Sequence, residues 1–504
     1  MTLSPNHQLN LKNGVFDATT AADLAELFDT YTMAGSQKPL VVYFHGGLNS
    51  QPVALATAEE RLLGQYQQAG AYPVFFIWQS GLREVLQHNL AAIFKEKIYQ
   101  RLLSRVSQFV EAKLRQGERS ERGERLELKS LADINQALQA PPGAEPLAQL
   151  DPSRLPPGER LREAEEAQFK EILKRDQTLT TEAQAIANTL RTEAEIAQDR
   201  AARSTTVPGS RHTLMSPEVL DRIRREAPTP AERGLVSTTT IILGAVRVLG
   251  RVIRRLAQGR DHGVYSTIVE EILREFYLAN AGKLVWDWMK QDTLDAFGPD
   301  PARHGGTAFL EQLKTHIGAD PPPRIILVGH STGAIYICHF LAQAAHRLPP
   351  AVQFEVIFLA PACDFKLWSD TLTLYGDRIR AFRLFGMADP LEATDRLVPL
   401  VLVYPRSLLY FVSGVLEDEA DKPLVGMERY YSGRPPYDAQ AYPEIENVRR
   451  FIATEPGRLV WAETDGGLGL ASAAKKHGDF DDADGPTIAS VQHIIREGFQ
   501  DGQR

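Results

Sequence analysis

The chain has 504 residues, 43% of them hydrophobic and 24% charged, an ordinary globular composition that suits one large domain with insertions or two to three smaller ones. Its net charge of -8 is mild and acidic, which excludes a protein built mainly to neutralise phosphate backbones and, with it, nucleic acid as the main partner. Two cysteines, Cys338 and Cys363, are too few for a disulfide framework and fit a reducing compartment.

The opening residues MTLSPNHQLN have neither the basic start nor the apolar stretch of a secretory leader. No run approaches the roughly 18 uncharged apolar residues that a spanning helix needs, so a cytoplasmic protein is expected. Short apolar runs then predict strands at 39 to 44 (PLVVYF) and 73 to 79 (PVFFIWQ), with a helical stretch at 53 to 69 between them. These runs are nearly continuous in apolar residues, the mark of strands covered by helices on both faces of a parallel sheet. The first strand ends in His45-Gly46-Gly47, where glycine lets the backbone approach a ligand closely.

The next such run begins at Arg324, and a crossover needs only a dozen or so residues, so a long insertion is expected. Residues 101 to 233 are polar and charge-rich, punctuated by Pro141-Pro142-Gly143 and Pro156-Pro157-Gly158, with helix-favouring composition at 159 to 202 and parts too polar to guarantee order. Residues 234 to 296 turn apolar and aromatic again and read as a helical cap. Within them, 241 to 257 place Ile242, Val246, Leu249, Ile253 and Leu256 on one helical face and Arg247, Arg251, Arg254 and Arg255 on the other. The ordinary reading is a cap helix with its arginines in water; the alternative is peripheral contact with an anionic membrane surface, or a lid over a greasy substrate.

Further strands are predicted at 324 to 328 (RIILV), 354 to 360 (FEVIFLA), 379 to 385 (IRAFRLF) and 408 to 413 (LLYFVS), with a helix over 333 to 347. Alternation of strands and helices predicts a doubly wound α/β architecture. Its core is expected from 1-100 and 306-504, with the helical insertion at 101-305.

RIILV runs directly into Gly329-His330-Ser331-Thr332-Gly333 and a helix. A serine at the apex of such a sharp turn has its hydroxyl thrust clear of the sheet, and the turn aims the first backbone N–H groups of the helix at a developing oxyanion. Ser331 is therefore the candidate nucleophile and Thr332 N–H a candidate oxyanion donor, with His330 assigned to packing. Gly47 N–H is the second donor, with Leu48 next.

These motifs, with His45-Gly46-Gly47-Leu48-Asn49-Ser50 and the FFIWQS run at 75 to 80, resemble the α/β-hydrolase superfamily, especially uncharacterised bacterial members with an HG-x-x-N-S loop. The resemblance covers about residues 35 to 100 and 305 to 500. It implies an α/β-hydrolase fold, a mostly parallel doubly wound sheet, and a serine hydrolase, esterase or lipase-like, acting on a small-molecule or lipid ester through an acyl-enzyme.

A serine hydroxyl needs a histidine to take its proton and a carboxylate to orient that histidine. In this superfamily the chain order is Ser, acid, His. His477 lies in the loop KKHGDFDDADGPT and is preferred over His493, which falls inside a helical stretch, and over His339 and His346, which follow the nucleophile on its own helix. For the acid, Asp389 follows the strand IRAFRLF, Asp364 follows FEVIFLA and is the alternative, and Asp395 comes third. The acidic cluster Asp479, Asp481, Asp482 and Asp484 lacks calcium-loop spacing, and no cysteine and histidine cluster has zinc spacing, so neither metal nor cofactor is expected. An inactive hydrolase-like scaffold that binds a protein partner or a membrane surface is the competing function.

Overall fold

A computed structural model describes residues 3–35, 37–47, 50–116, 146–201, 213–226, 230–317, 322–397, 403–467, 469–482 and 484–499. Ten strands are labelled in chain order: β1 (Gln8–Lys12), β2 (Val15–Phe16), β3 (Leu40–Phe44), β4 (Tyr72–Trp78), β5 (Ile325–His330), β6 (Phe354–Leu359), β7 (Ile379–Met387), β8 (Leu459–Ala462), β9 (Thr464–Asp465) and β10 (Ala471–Ser472). The first eight form one sheet in the order β2-β1-β4-β3-β5-β6-β7-β8, while β9 and β10 form a separate pair. Only the edge pair β1 and β2 is antiparallel; every other neighbour in the large sheet is parallel. Strands from both sides of the insertion are thus hydrogen-bonded to each other, β3 directly to β5.

Every residue of β3, β4, β5 and β6 is buried, as their unbroken apolar runs require. Successive side chains go to opposite faces. Val42, Phe44, Ile325 and Leu327 join one core with the helices Ala21–Met33, Gly305–His316 and Gly333–Arg347; Val41, Tyr43, Ile326 and Val328 join a second core with Ala54, Ala58, Leu62 and the last helix, Pro486–Glu497. Helices on both faces make the sheet doubly wound.

The first core does not stop at the sheet. It continues without a break through Val106 and Phe109 of helix Lys97–Gln116, Phe169 and Leu173 of helix Glu163–Lys174, and Leu249 and Ile253 of helix Pro230–Ala257. Charges buried by this packing are paired: Lys113 Nζ lies 2.8 Å from both Glu159 and Glu165, and Asp176 accepts from Arg101 at 2.7 Å and Arg105 at 2.6 Å. Residues 117–145 and 202–212, on which part of the reading of 101 to 233 rested, lie outside the described residues. Among the described residues no helix is long and apolar enough to cross a membrane.

Residues 241 to 257 are helical, and Ile242, Val246, Leu249, Ile253 and Leu256 are buried. Three of the four arginines opposite them meet glutamates of the next helical stretch, Arg247 with Glu275 at 2.5 Å, Arg251 with Glu271 at 2.6 Å and Arg255 with Glu270 at 2.7 Å, while Arg254 is exposed. Arg255 is itself buried, so this face is only partly in water. The same stretch is bolted to the loops after β7. His262 sits between Glu270 and Asp421, at 2.8 and 3.0 Å, and Asp421 also receives Arg260 at 2.9 Å and the hydroxyls of Tyr430 and Tyr437. Both ring nitrogens of His262 thus face carboxylate oxygens in a fully buried site.

The run LLYFVS at 408 to 413 is a correction: it forms helix Leu408–Phe411 and a wider turn, Val412–Leu416, instead of a strand. A short apolar run suits a buried helix as well as a strand, and here Ser407 Oγ caps the Tyr410 N–H, closing the helix start. Strands β1, β2, β8, β9 and β10 fall outside the predicted runs, being short or mixed in polarity.

Candidate active site

Strand β5 delivers Ser331 to the edge of the sheet with φ +54, the left-handed conformation that costs a non-glycine residue about 1–2 kcal/mol. The surroundings hold it there. Ser331 N–H donates to the Leu359 carbonyl at 2.8 Å and its own carbonyl accepts from Ala362 N–H at 3.0 Å, so β6 pins the turn. A β-carbon on Gly333 would stand 2.1 Å from the Phe44 carbonyl oxygen, and one on Gly329 would stand 2.8 Å from Gly333. Thr332 is buried and ends this turn at the first residue before helix Gly333–Arg347.

The loop after β3 lies against the elbow. A β-carbon on Gly46 would come within 3.1 Å of Ser331 Cβ, and one on Gly47 within 2.8 Å of Thr332 Oγ1. Buried His45 shapes this loop. Its Nε2 accepts from Trp78 N–H at 3.1 Å, so Nδ1 carries the proton and donates to the Gly46 carbonyl at 2.8 Å. Burial pushes the His45 pKa down to about 4, which keeps the ring neutral and this tautomer fixed. Leu48, the second choice for an oxyanion donor, lies outside the described residues.

His477 stands between β10 and helix Pro486–Glu497 and is 4% exposed. Its main chain is held from both sides: the N–H donates to Asp395 Oδ2 at 2.9 Å, and the carbonyl accepts from His330 Nε2 at 3.0 Å. Its ring stacks on the His330 ring, centroids 5.2 Å apart and planes 27° from parallel. Neither ring nitrogen of His477 has a hydrogen-bond partner among the described residues. Burial, reinforced by the charge of His330, pushes its pKa down to about 3, so the imidazole is neutral and able to accept a proton.

Three carboxylates were weighed as the acid. Asp389 opens the short helix Asp389–Glu392 directly after β7, and its Oδ1 accepts from the Tyr410 hydroxyl at 2.7 Å; no hydrogen bond joins it to His477. Asp395, six residues on, holds the His477 main chain. Asp364 caps helix Phe365–Tyr375, accepting from Leu367 N–H at 2.7 Å. A further carboxyl in the turn after β7, Glu392, is buried, and burial pushes its pKa up to about 8, which leaves it protonated at neutral pH. His339 is on the helix after Ser331, with Nδ1 3.0 Å from Thr293 Oγ1, and His493 is in the last helix.

His330 does more than pack. Strand alternation turns its ring to the face that carries Tyr43, where Asp481 Oδ2 lies 3.3 Å from His330 Nδ1 and accepts from the Tyr43 hydroxyl at 3.1 Å. Burial works against a charged His330, but Asp481 and the His477 carbonyl outweigh it, and its pKa lies above the ordinary histidine value. Two other members of the acidic cluster have different partners: Asp479 accepts from the main chains of Lys475 and Lys476, and Asp482 pairs with Arg61 at 3.0 Å. Among the described residues no group of three or more histidine, cysteine, aspartate or glutamate side chains is arranged to hold a metal ion. Comparison with protein-family models, curated proteins and solved structures found no match for the chain.

Proposed function

We propose that the chain is a serine hydrolase of the α/β-hydrolase type that cleaves a carboxylic ester, small or lipid, through an acyl-enzyme. The observation that carries this reading is Ser331, held at φ +54 on a glycine-flanked strand-to-helix turn. Support comes from the sheet order, with the serine after β5, a carboxylate-bearing turn after β7 and a buried neutral histidine after β8.

In this mechanism Ser331 Oγ attacks the ester carbonyl while His477 takes its proton, and the N–H groups of Thr332 and Gly47 hold the oxyanion. His477 then protonates the leaving alkoxide. Water, deprotonated by the same ring, releases the acyl group and restores the serine. Asp389 is the acid assigned to His477, with the turn after β7 supplying Asp395 as its rival. The chemistry so written requires no cofactor.

One observation favours the competing reading, an inactive scaffold that binds a protein or membrane surface: no carboxylate is hydrogen-bonded to the His477 ring among the described residues. A fluorophosphonate probe separates the two. Covalent labelling of the wild type and none of Ser331→Ala is expected; a folded wild type that stays unlabelled removes the enzyme reading.

A further inference from the structure

We propose that His330, Asp481 and Tyr43 form a clasp that positions His477 for its work as base, an inference that rests on the Ser331 and His477 reading above. Three separate pieces of chain meet here. Tyr43 comes from β3, His330 from β5 one residue before the serine, and Asp481 from the loop that carries His477. The clasp closes that loop onto the strand that presents the nucleophile.

The geometry divides the labour within His477. Its main chain is fixed at the N–H by Asp395 and at the carbonyl by His330, while its ring nitrogens have no partner among the described residues. A residue clamped at the backbone with a ring left unsatisfied is set up for that ring to take its partners from substrate, the serine hydroxyl or a carboxylate. An unsatisfied buried imidazole costs stability, which a purely structural loop has no reason to keep.

The clasp also carries charge. His330 donates from Nε2 to the His477 carbonyl, its Nδ1 faces the Asp481 carboxylate at 3.3 Å, a pairing that raises its pKa and favours the charged ring, and that ring stacks on His477. The groups around His330 are Asp481 and His477 from the loop, Tyr43 from β3 and His45 just after it, and, acting through Asp481, Tyr66 and Arg61 from the helical segment after β3. A positive charge at that distance makes His477 a weaker base, and Asp481 offsets the effect only in part. His330 and Asp481 are positioning residues here; neither touches the reacting atoms in the proposed mechanism.

The test uses the full chain and the second-order rate of inactivation by a fluorophosphonate, which requires nucleophile and base but no particular acyl group. His330→Gln and Asp481→Asn are each expected to slow inactivation by about 10²-fold, the penalty of a base displaced by about 1 Å. His330→Gln should also move the acidic limb of the pH profile to higher pH, because a positive charge has gone from beside His477. In the Ser331→Ala background, the ring-proton NMR titration of His477 should shift the same way on adding His330→Gln. Wild-type rates in both variants, or slower rates with an unmoved limb and an unmoved titration, overturn the clasp while leaving the hydrolase reading intact. If His330→Gln fails to fold, Asp481→Asn carries the test through its rate: inactivation as fast as wild type overturns the clasp. A wild type that is never labelled fails earlier, at Ser331, and takes the clasp with it.

Discussion

A β-carbon placed on Gly333 would stand 2.1 Å from the carbonyl oxygen of Phe44, so the nucleophile turn and β3 touch backbone to backbone with no room for a side chain. Neither partner is the end of a flexible side chain, and nothing there yields cheaply. Gly333→Ala is expected to lose at least about 3 kcal/mol of stability, the upper part of the usual overpacking range. Urea unfolding of wild type and variant measures it. A loss under about 1 kcal/mol would mean that β3 and the elbow separate easily.

Ser331 shows the converse relation. Its left-handed conformation suits glycine, whereas alanine there keeps the strain and loses the hydroxyl. Ser331→Gly and Ser331→Ala should both resist fluorophosphonate labelling, with the glycine variant the more stable of the two by about 1 kcal/mol. Equal denaturation midpoints would show that the turn relaxes once the serine is gone.

Asp364 and Asp389 are separable by what each substitution disturbs. Asp364→Ala should cost about 1 kcal/mol of stability, the ordinary value of a lost helix cap. Asp389→Asn should lower turnover by up to about 10⁴-fold, as expected when a histidine loses its orienting carboxylate. If Asp395→Asn carries the large kinetic loss and Asp389→Asn does not, the acid is the residue that already holds His477 by its main chain.

Buried histidines should each leave a separable mark on the pH dependence of stability. Burial keeps His45, His339 and His477 neutral, with pKa values pushed down to about 4, about 4 and about 3. The unfolded chain titrates these rings near about 6.5, so below that pH it binds protons that the native state refuses. His330 has the opposite sign: its raised pKa gives a contribution that is complete below about 6.5 and fades as pH rises through the native value. Glu392 and Asp292, whose carboxyls burial pushes up to about 8 and about 7, act in the same sense as His330, so the histidine contribution is read from the difference between a variant and the wild type. As pH falls from 7 to 5, His339→Gln should lose about 1.4 kcal/mol per pH unit less stability than the wild type, read from guanidinium midpoints.

The two kinds of ion pair on the insertion should differ several-fold. Asp421 has no exposure, and its removal strands His262, Arg260, Tyr430 and Tyr437. Asp421→Ala is expected to cost about 3–5 kcal/mol. The half-exposed Arg247 pair with Glu275 should be worth no more than about 1 kcal/mol when Arg247 becomes alanine. Thermal unfolding of the two variants side by side checks the ordering.

The central strands and the elbow could be read from the sequence because both are local signals. PLVVYF, PVFFIWQ, RIILV and FEVIFLA form strands buried on both faces, with Glu355 the one charged residue inside them, and GHSTG lies between a strand and a helix. LLYFVS has the same composition at the same length, and only the cap from Ser407 and its tertiary burial make it a helix. What failed to show was everything that depends on contacts across hundreds of residues. His330 looked like packing because its partners, Asp481 and the carbonyl of His477, are brought to it only by the fold, and the one clue available was an acidic cluster next to a histidine in KKHGDFDDADGPT. Asp395 ranked third for the same reason: spacing from a strand end says nothing about which side chain turns back to a loop after β8.

The uninterrupted apolar packing from Phe76 in the sheet to Phe109 and Ile253 in the insertion makes the molecule indivisible. A shortened version lacking residues 101 to 305 would not be a minimal catalyst; it would carry a raw oily wall where those helices had been and should clump during expression.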